Sequence, residues 1–294
     1  MIITNANLSN LFIAYNAAFK QGLGMAVSQY EKVSMTIPSG TSANIYPWLG
    51  NLPSMRKWVG DRIIKNLKAH DYTIKNEPFE VTVSVERDTI EDDQYGIYTP
   101  MFQDLGSQTV IHPNQLVFDQ LKHGHERTCY DGQYFFDTDH PVADKSVSNT
   151  LIPSQDPSVP WYLLCTTRPV RPVIFQRRRP YTLTRMDRPD DEQSFMRGAY
   201  LYGVDARVNV GYGLWQLAVR STKVLDNASY AEARALMSSY VNDEGNPLGL
   251  VPNMLVVPSA LESAARKVVV SALTTGGATN EWAGSAELLV SPWL

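Results

Sequence analysis

The chain has 294 residues, of which 44% are hydrophobic and 19% charged, so it is too apolar for wholesale disorder. Its net charge of −4 excludes an overall basic field for nucleic acid. No window approaches the roughly 20 apolar residues of a membrane-spanning helix, and the N-terminus shows no secretion signal. The two cysteines are too few for a disulfide framework and suit a reducing cytosol.

Residues 4–60 predict a helix and then an irregular excursion. Apolar residues recur at helical spacing between Leu8 and Phe19. Residues 36–60 contain Pro and Gly too often for a continuous helix or strand, and Trp48 and Trp58 lie among them. Such a segment seldom packs only on itself, so we interpret it as an excursion that contacts something else. The alternative is a loop whose Trp side chains enter the chain's own core.

A strand and a long helical rod follow. In residues 79–86 (FEVTVSVE) apolar and polar side chains alternate, which predicts a strand with one buried face. Thr89 and Asp92 have the spacing of a capping box, so we expect a helix to begin there. The helix is expected to continue to about residue 123, and Pro113 must kink or divide it. This rod is unusually long for a compact domain.

The second half alternates short strands with helices. Strands are expected at residues 161–165, 172–176, 200–210, 215–219, 254–257 and 288–290. Ser229 with Glu232, and Ser259 with Glu262, have the capping-box spacing that begins a helix. Residues 141–160 are polar and rich in Pro and Ser, as in a connection between lobes. The predicted fold class is α+β.

One cluster has the composition of a metal site. Its members are residue types that bind zinc or iron: His123, His125, Cys129, Asp137, Asp139 and His140. Their spacing matches no ligand pattern that we can justify. In the alternative interpretation, the histidines are solvated or cap the carbonyl groups at the helix end, and the aspartates make turn hydrogen bonds. We favour this alternative, because clustered titratable residues are also common in structural networks.

An arginine-rich stretch between residues 168 and 188 includes the consecutive Arg177, Arg178 and Arg179. Arginine is preferred at ion-paired protein interfaces, and the net charge of −4 does not favour phosphate binding. We therefore favour pairing between subunits over contact with nucleic acid. The sequence has no Gly-rich phosphate loop ending in Gly-Lys-Ser/Thr, no Gly-x-Ser-x-Gly elbow and no His-Glu-x-x-His motif.

Several longer motifs resemble one protein family. They are WVGDR (58–62), FEVT (79–82), RDTIEDD (87–93), DGQYFFDTDHP (131–141), WYLL (161–164), YGVDAR (202–207), GYGLWQ (211–216) and LVVP (255–258). In this order, over nearly the whole chain, they resemble the major head subunit of Mu-like transposable phages. The resemblance implies a major capsid protein with the fold first seen in phage Hong Kong 97. That fold has an N-terminal arm, an extended loop, a peripheral domain with a long spine helix, and an axial domain.

The resemblance also implies a division of the chain. Residues 1–45 are expected to form the arm, 46–78 the extended loop, 79–224 mainly the peripheral domain with its spine helix, and 225–294 mainly the axial domain. The pieces similar to the axial domain follow the predicted peripheral strands in this sequence. We therefore expect a rearranged strand order, with the C-terminus in the axial domain.

The function implied by the resemblance is the assembly of a protein shell. Identical subunits would form hexamers and pentamers that close into an icosahedral head around double-stranded DNA. Scaffold, portal and decoration proteins are the other expected partners, with no membrane. The expected location is the virion capsid, after assembly in the bacterial host cytoplasm. No enzyme activity, cofactor or metal is expected. Large aromatics and arginines dominate protein interfaces, so the candidate inter-subunit contacts are Trp48, Trp58, Arg62, Arg177, Arg178 and Arg179.

Two alternatives come from other functional classes. A metal-dependent hydrolase would use His123, His125, Asp139 and His140. A tail or sheath component would form tubes or rings instead of closed shells. Metal analysis of the purified protein separates the first alternative from a capsid protein, and electron microscopy separates the second.

Overall fold

The computed structural model describes residues 3–50, 71–92, 95–188, 190–274 and 276–294. The helices in these ranges are α1 (Asn5–Leu23), α2 (Tyr30–Val33), α3 (Arg87–Glu91), α4 (Thr99–Lys122), α5 (Glu192–Arg197), α6 (Asn227–Ser238) and α7 (Glu262–Val269). Short 3₁₀ turns cover Tyr95–Tyr98, Trp215–Leu217 and Ser259–Leu261. Among the described helices, none is long and apolar enough to cross a membrane.

The strands form two main sheets and two smaller pairs. In chain order they are β1 (Ser34–Pro38), β2 (Ala43–Ile45), β3 (Thr73–Lys75), β4 (Glu77–Glu86), β5 (His140–Val142), β6 (Lys145–Val147), β7 (Thr150–Leu151), β8 (Trp161–Leu164), β9 (Val173–Met186), β10 (Ala199–Tyr212), β11 (Ala218–Ser221), β12 (Met254–Pro258) and β13 (Glu287–Ser291). The 4-stranded sheet has the order β1-β9-β10-β4, and the 5-stranded sheet has the order β13-β12-β8-β11-β7. This combination of helices and sheets confirms the predicted α+β class.

Two helices cover one face of the four-stranded sheet. Along β10 the even-numbered residues from Tyr200 to Val208 are buried, while the odd-numbered residues between them are partly exposed. This alternation is that of a strand with one covered face. The covering helices are α1 and α4, whose apolar side chains form one cluster with Tyr200, Tyr202 and Val204.

The five-stranded sheet has a fully buried centre. Every residue of β8 and of β12 is buried, as expected for internal strands covered on both faces. Side chains of α6 and α7 join the same hydrophobic cluster. Just after β13, at one edge of the sheet, the Trp293 ring stacks on Phe118 of α4 with ring centroids 5.8 Å apart.

Helix α4 belongs to both hydrophobic cores. Phe102 and Leu105, in its first half, pack with α1 and the start of β10. Val117, Phe118 and Leu121, in its second half, pack with residues of the five-stranded sheet. The long rod predicted from the sequence therefore ties the two sheets together.

Helices α1 and α4 cross where their backbones touch. A Cβ atom on Gly106 would overlap the carbonyl oxygen of Phe19, and a Cβ on Gly22 would overlap that of Gln103. Only glycine leaves room for this approach. The crossing is reinforced by Ser107, whose hydroxyl donates to the carbonyl of Gly22 at 3.0 Å.

The helix starts differ from the sequence predictions. Thr89 lies inside the short α3, and α4 begins later, behind a 3₁₀ turn. Helix α6 begins before Ser229, because Asp226 is the N-cap and accepts a hydrogen bond from the Ser229 N–H at 2.8 Å. Ser259 lies in a 3₁₀ turn ahead of α7. Pro113 is inside α4 and does not divide it.

The predicted strands at residues 161–165, 172–176, 200–210, 254–257 and 288–290 correspond to β8, β9, β10, β12 and β13. Residues 215–219 are instead a 3₁₀ turn followed by β11. The strand predicted at residues 79–86 is present as β4. Of its apolar residues only Val85 is fully buried, and Val81 is 42% exposed, because β4 is an edge strand.

The division into arm, extended loop, peripheral domain and axial domain stays a prediction. The five-stranded sheet takes β7, β8 and β11 from residues 79–224, and β12 and β13 from residues 225–294. Within residues 1–45, α1 packs on α4 of the same chain. Residues 51–70 of the predicted extended loop lie outside the described residues.

We predict that Gly106→Ala separates α1 from α4, because the new Cβ meets a carbonyl group that cannot move without shifting the helix. The expected loss in free energy of unfolding is about 2–3 kcal/mol, typical of an overpacked contact. Urea unfolding of the unassembled protein measures it. Gly40→Ala is the control, since its Cβ meets nothing within 4 Å and stability should be unchanged or slightly higher. Equal midpoints for Gly106→Ala and wild type would contradict this packing.

Candidate functional site

Trp48 is held between two buried neighbours while it is itself 36% exposed. Leu49 is fully buried, and the buried Tyr46 donates from its hydroxyl to Gln176 Oε1 at 2.7 Å. The Trp48 ring lies edge-on to the Tyr46 ring, with centroids 6.1 Å apart. A large aromatic surface is therefore presented in a fixed orientation, which lowers the ordering cost of a contact with another molecule.

The three consecutive arginines of β9 have different surroundings. Arg179 forms an ion pair with Asp205 on the neighbouring strand β10. Arg178 donates to the carbonyl oxygen of Ser39 at 3.3 Å. Arg177 is exposed, and within the described part of the chain its side chain has no ion-pair partner. Of the three side chains, that of Arg177 is therefore the most available to another molecule.

Two of the sequence-predicted contact residues, Trp58 and Arg62, lie outside the described residues. Acidic residues lie at the predicted helix start, within the motif RDTIEDD (87–93). Glu91 forms an ion pair with Arg87 one helical turn away, with 2.8 Å between carboxylate oxygen and Nε. Asp93 lies outside the described residues.

Three of the candidate metal ligands have structural roles. His123 Nδ1 lies 3.0 Å from the carbonyl oxygen of Asp119, and His125 Nδ1 lies 3.1 Å from that of Lys122. Both histidines therefore cap carbonyl groups at the end of α4. Asp137 accepts hydrogen bonds from the backbone N–H groups of Tyr134 and Thr138, so its carboxylate makes turn hydrogen bonds without the spacing of an Asx turn. These are the roles that the favoured sequence interpretation assigns to them.

A buried hydrogen-bonded cluster surrounds Asp131. His140 Nδ1 lies 2.8 Å from Asp131 Oδ2, and the Cys129 thiol donates to Asp131 Oδ1 at 3.0 Å. The His140 ring is fully buried and stacks on the Trp215 ring, with centroids 4.1 Å apart. The ligand atoms of Cys129, Asp131 and His140 lie within 4.8 Å of one another. Asp139 is exposed and outside this cluster.

The electrostatics of the cluster favour hydrogen bonding over metal binding. Burial raises the pKa of Cys129, and the negative charge of Asp131 raises it further, so the residue stays a thiol. Burial also raises the pKa of Asp131, but hydrogen bonds from His140 and Cys129 outweigh it, and the pKa lies below its ordinary value. An ionised carboxylate only accepts, so His140 donates from Nδ1. Both carboxylate oxygens are thus occupied in holding the fold.

Asp131 is absent from the cluster predicted by the sequence, because the Asp-Gly pair at residues 131–132 is a strong turn signal. The turn is present, with Gly132 at a φ of 91°. The Asp131 side chain nevertheless contacts His140, which lies nine positions further along the chain. The available signal was the closeness of Asp131 to Cys129 in the sequence, since a turn residue can still use its carboxylate elsewhere.

The geometry shows no catalytic arrangement among the described residues, and comparison with known proteins gives the function. A sequence model described as Mu-like prophage major head subunit gpT matches residues 8–294. The chain belongs to this family. It is 40% identical to the major capsid protein of Escherichia phage Mu, over 100% of both chains.

Two solved structures of phage heads are similar over almost the whole chain. A chain of the bacteriophage JBD30 procapsid has a TM-score of 0.89 and 42% identity, and the match covers 99% of this chain and 100% of that one. A chain of the JBD30 capsid decorated with minor capsid protein trimers has a TM-score of 0.79 and 31% identity, with 93% of each chain covered.

These matches confirm the predicted Hong Kong 97-type capsid fold. This member of the Mu-like head subunit family is a major capsid protein of a tailed phage and a component of the virion. It is a structural protein rather than an enzyme. The alternative of a metal-dependent hydrolase that uses His123, His125, Asp139 and His140 has no support.

We predict that Asp131→Asn lowers the free energy of unfolding by about 2 kcal/mol at neutral pH, the range for a buried hydrogen bond to a charged group. The folded-state pKa of Asp131 is depressed. Its stabilisation is therefore present above the ordinary Asp pKa of about 3.9 and is lost as the pH falls through the folded value.

The difference between wild type and Asp131→Asn should thus be constant from neutral pH to about pH 5 and shrink below about pH 4. Urea midpoints of the unassembled protein at several pH values measure this. Asp139→Asn is the matched control, because Asp139 is exposed. A difference that grows in acid, or a stoichiometric metal ion in the purified protein, would contradict the assignment.

Proposed function

We propose that this major capsid protein forms hexamers and pentamers, and that these close into an icosahedral head around double-stranded DNA in the bacterial host cytoplasm. The observation that carries the proposal is the full-length similarity of this chain to subunits of assembled phage heads. Identical subunits that each contact several neighbours add many modest contacts into a stable shell.

The frame of the subunit suits this role. Helix α4 and the strands β9 and β10 contribute to both hydrophobic cores, so the two sheets form one continuous packed body. We propose the peripheral domain around the four-stranded sheet and the axial domain around the five-stranded sheet, with residues 1–45 as arm and 46–78 as extended loop.

Further partners of the shell belong to the same proposal. The similar JBD30 capsid carries minor capsid protein trimers, and we propose that a decoration protein also binds the shell formed by this chain. A scaffold protein would guide closure, and a portal would occupy one vertex. Contact with the packaged DNA would be non-specific, because the chain's net charge of −4 provides no basic field.

The test is negative-stain electron microscopy of the purified protein, alone and after co-expression with the neighbouring phage genes. Closed polyhedral shells, with six-fold and five-fold capsomers in averaged images, are the expected result. Tubes, open sheets or a uniformly small monomer under all conditions would contradict the proposed geometry.

We propose Trp48 as an inter-subunit anchor, together with Trp58, Arg62 and the arginines of β9. Trp48→Ala should reduce shell yield at least about tenfold, the effect of a lost interface hot spot of 1.4 kcal/mol or more. The monomer should keep its unfolding midpoint, because the neighbouring Tyr46 and Leu49 hold the turn.

The matched control for Trp48 is Tyr134→Ala, which removes another exposed aromatic ring. Shell yield measured by sedimentation should stay near the wild-type value for this control. A Trp48→Ala protein that assembles as well as the control would remove Trp48 from the interface.

A further inference from the structure

The strands β9 and β10 are joined by a connection that contains a short helix, next to the core formed with α1 and α4. Each strand has 14 residues, which at the usual rise corresponds to about 46 Å. The two strands pair from Tyr212 and Val173 at one end to Leu201 and Met186 at the other. Helix α5 lies in the connection between them. We call residues 187, 188 and 190–198 the hairpin tip.

Helix α5 buries a small polar side chain and exposes two large apolar ones. Ser194 is buried, whereas Phe195 is 83% exposed and Met196 is 70% exposed. A helix on a protein surface normally buries its large apolar side chains and exposes its small polar ones. Exposed apolar side chains of this size, placed next to each other, mark an interaction site.

The backbone fixes this orientation. Gly198 ends α5 in the left-handed conformation with a φ of 62°, and its carbonyl oxygen accepts a hydrogen bond from the Arg87 N–H at 2.8 Å. At the start of the helix, the Arg188 N–H donates to the Asp191 carboxylate at 2.9 Å. The first bond ties the C-terminal end of α5 to the start of α3, and the second closes the turn ahead of α5.

The charges around these apolar side chains are of both signs. Arg188 and Arg197 are exposed, and so are Asp190 and Glu192. Within the part of the chain that the structure describes, none of these four side chains forms an ion pair. Asp191, which is partly exposed and also forms no ion pair with another described residue, adds a third negative charge. A surface that carries charges of both signs around an apolar centre can place its cations opposite the anions of a second copy.

We propose that the hairpin tip binds the hairpin tip of a second copy of this chain, with Phe195 and Met196 at the centre and the four charges around them. The proposal deepens the proposed assembly function, and it rests on the self-association of the subunit. A partner of strongly acidic or basic character would leave at least two of these side chains opposite like charges, which disfavours such a partner.

The first test is the double variant Phe195→Ser with Met196→Ser in the full-length chain. Its threshold protein concentration for shell formation should rise about tenfold or more relative to wild type. The control is Val224→Ser, an apolar side chain that is 67% exposed outside the tip. Shells of the double variant at the wild-type threshold would overturn the proposal, including the case in which they form normally but no longer bind a decoration protein.

The second test inverts charges. Glu192→Arg alone and Arg197→Glu alone should each raise the assembly threshold, and the double variant should restore it, because complementarity between two copies returns. Additive losses in the double variant would overturn tip-to-tip pairing.

Sedimentation of the unassembled subunit measures association through the tip even where no shell closes. The wild type should self-associate about tenfold more strongly than Phe195→Ser/Met196→Ser, and equal association would overturn the proposal. A wild type that forms no shell but shows this difference would contradict only the proposed shell geometry.

Discussion

The fold depends on one constraint: α4 is the only described helix that supplies side chains to both hydrophobic cores. Its position is fixed by a buried amide at its middle. Asn114 is fully buried and accepts hydrogen bonds from the N–H groups of Gln29 and Tyr30 at 2.9 and 2.8 Å, while its own N–H₂ donates to the Val27 carbonyl at 3.0 Å. A buried amide with these partners ties the segment after α1 to the centre of α4, since an unmade bond here costs about 1–3 kcal/mol.

A second polar contact joins α4 to the four-stranded sheet. Tyr181, midway along β9, donates or accepts at 2.6 Å with His112 of α4, whose pKa is lowered by burial. Trp48 lies beside one core, where Tyr46 binds Gln176 near the start of β9. The hairpin tip follows the end of the same strand. The proposed contacts therefore lie near opposite ends of one rigid element, which fixes the distance between them and so constrains the curvature of an assembly.

Elements could be predicted from the sequence where a local pattern of apolar residues determines them. They could not be predicted where the structure depends on residues that are close in space but distant in the chain. The alternation along β10 and the apolar spacing in α1 need only the chain itself, so both were predictable. The start of α6 was missed because Asp226 and Ser229 compete for the N-cap, and the reciprocal bond between them decides it. The crossing at Gly106 was not visible either, because nothing local shows that a carbonyl of another helix would fill the space of its Cβ.

Residue type alone was also a poor guide to function, as two groups of side chains show. The His140 cluster has the residue types of a metal centre, yet each hydrogen bond that Asp131 accepts ends inside the fold. Phe195 and Met196 have the composition of core residues, yet the fold leaves both exposed. A chain that contacts its own copies gains free energy from apolar side chains that its fold leaves uncovered, because only uncovered surface is removed from water when a second copy arrives. The Asp131 cluster therefore stabilises the subunit, whereas the exposed Phe195 and Met196 are the side chains that we propose for contact between copies.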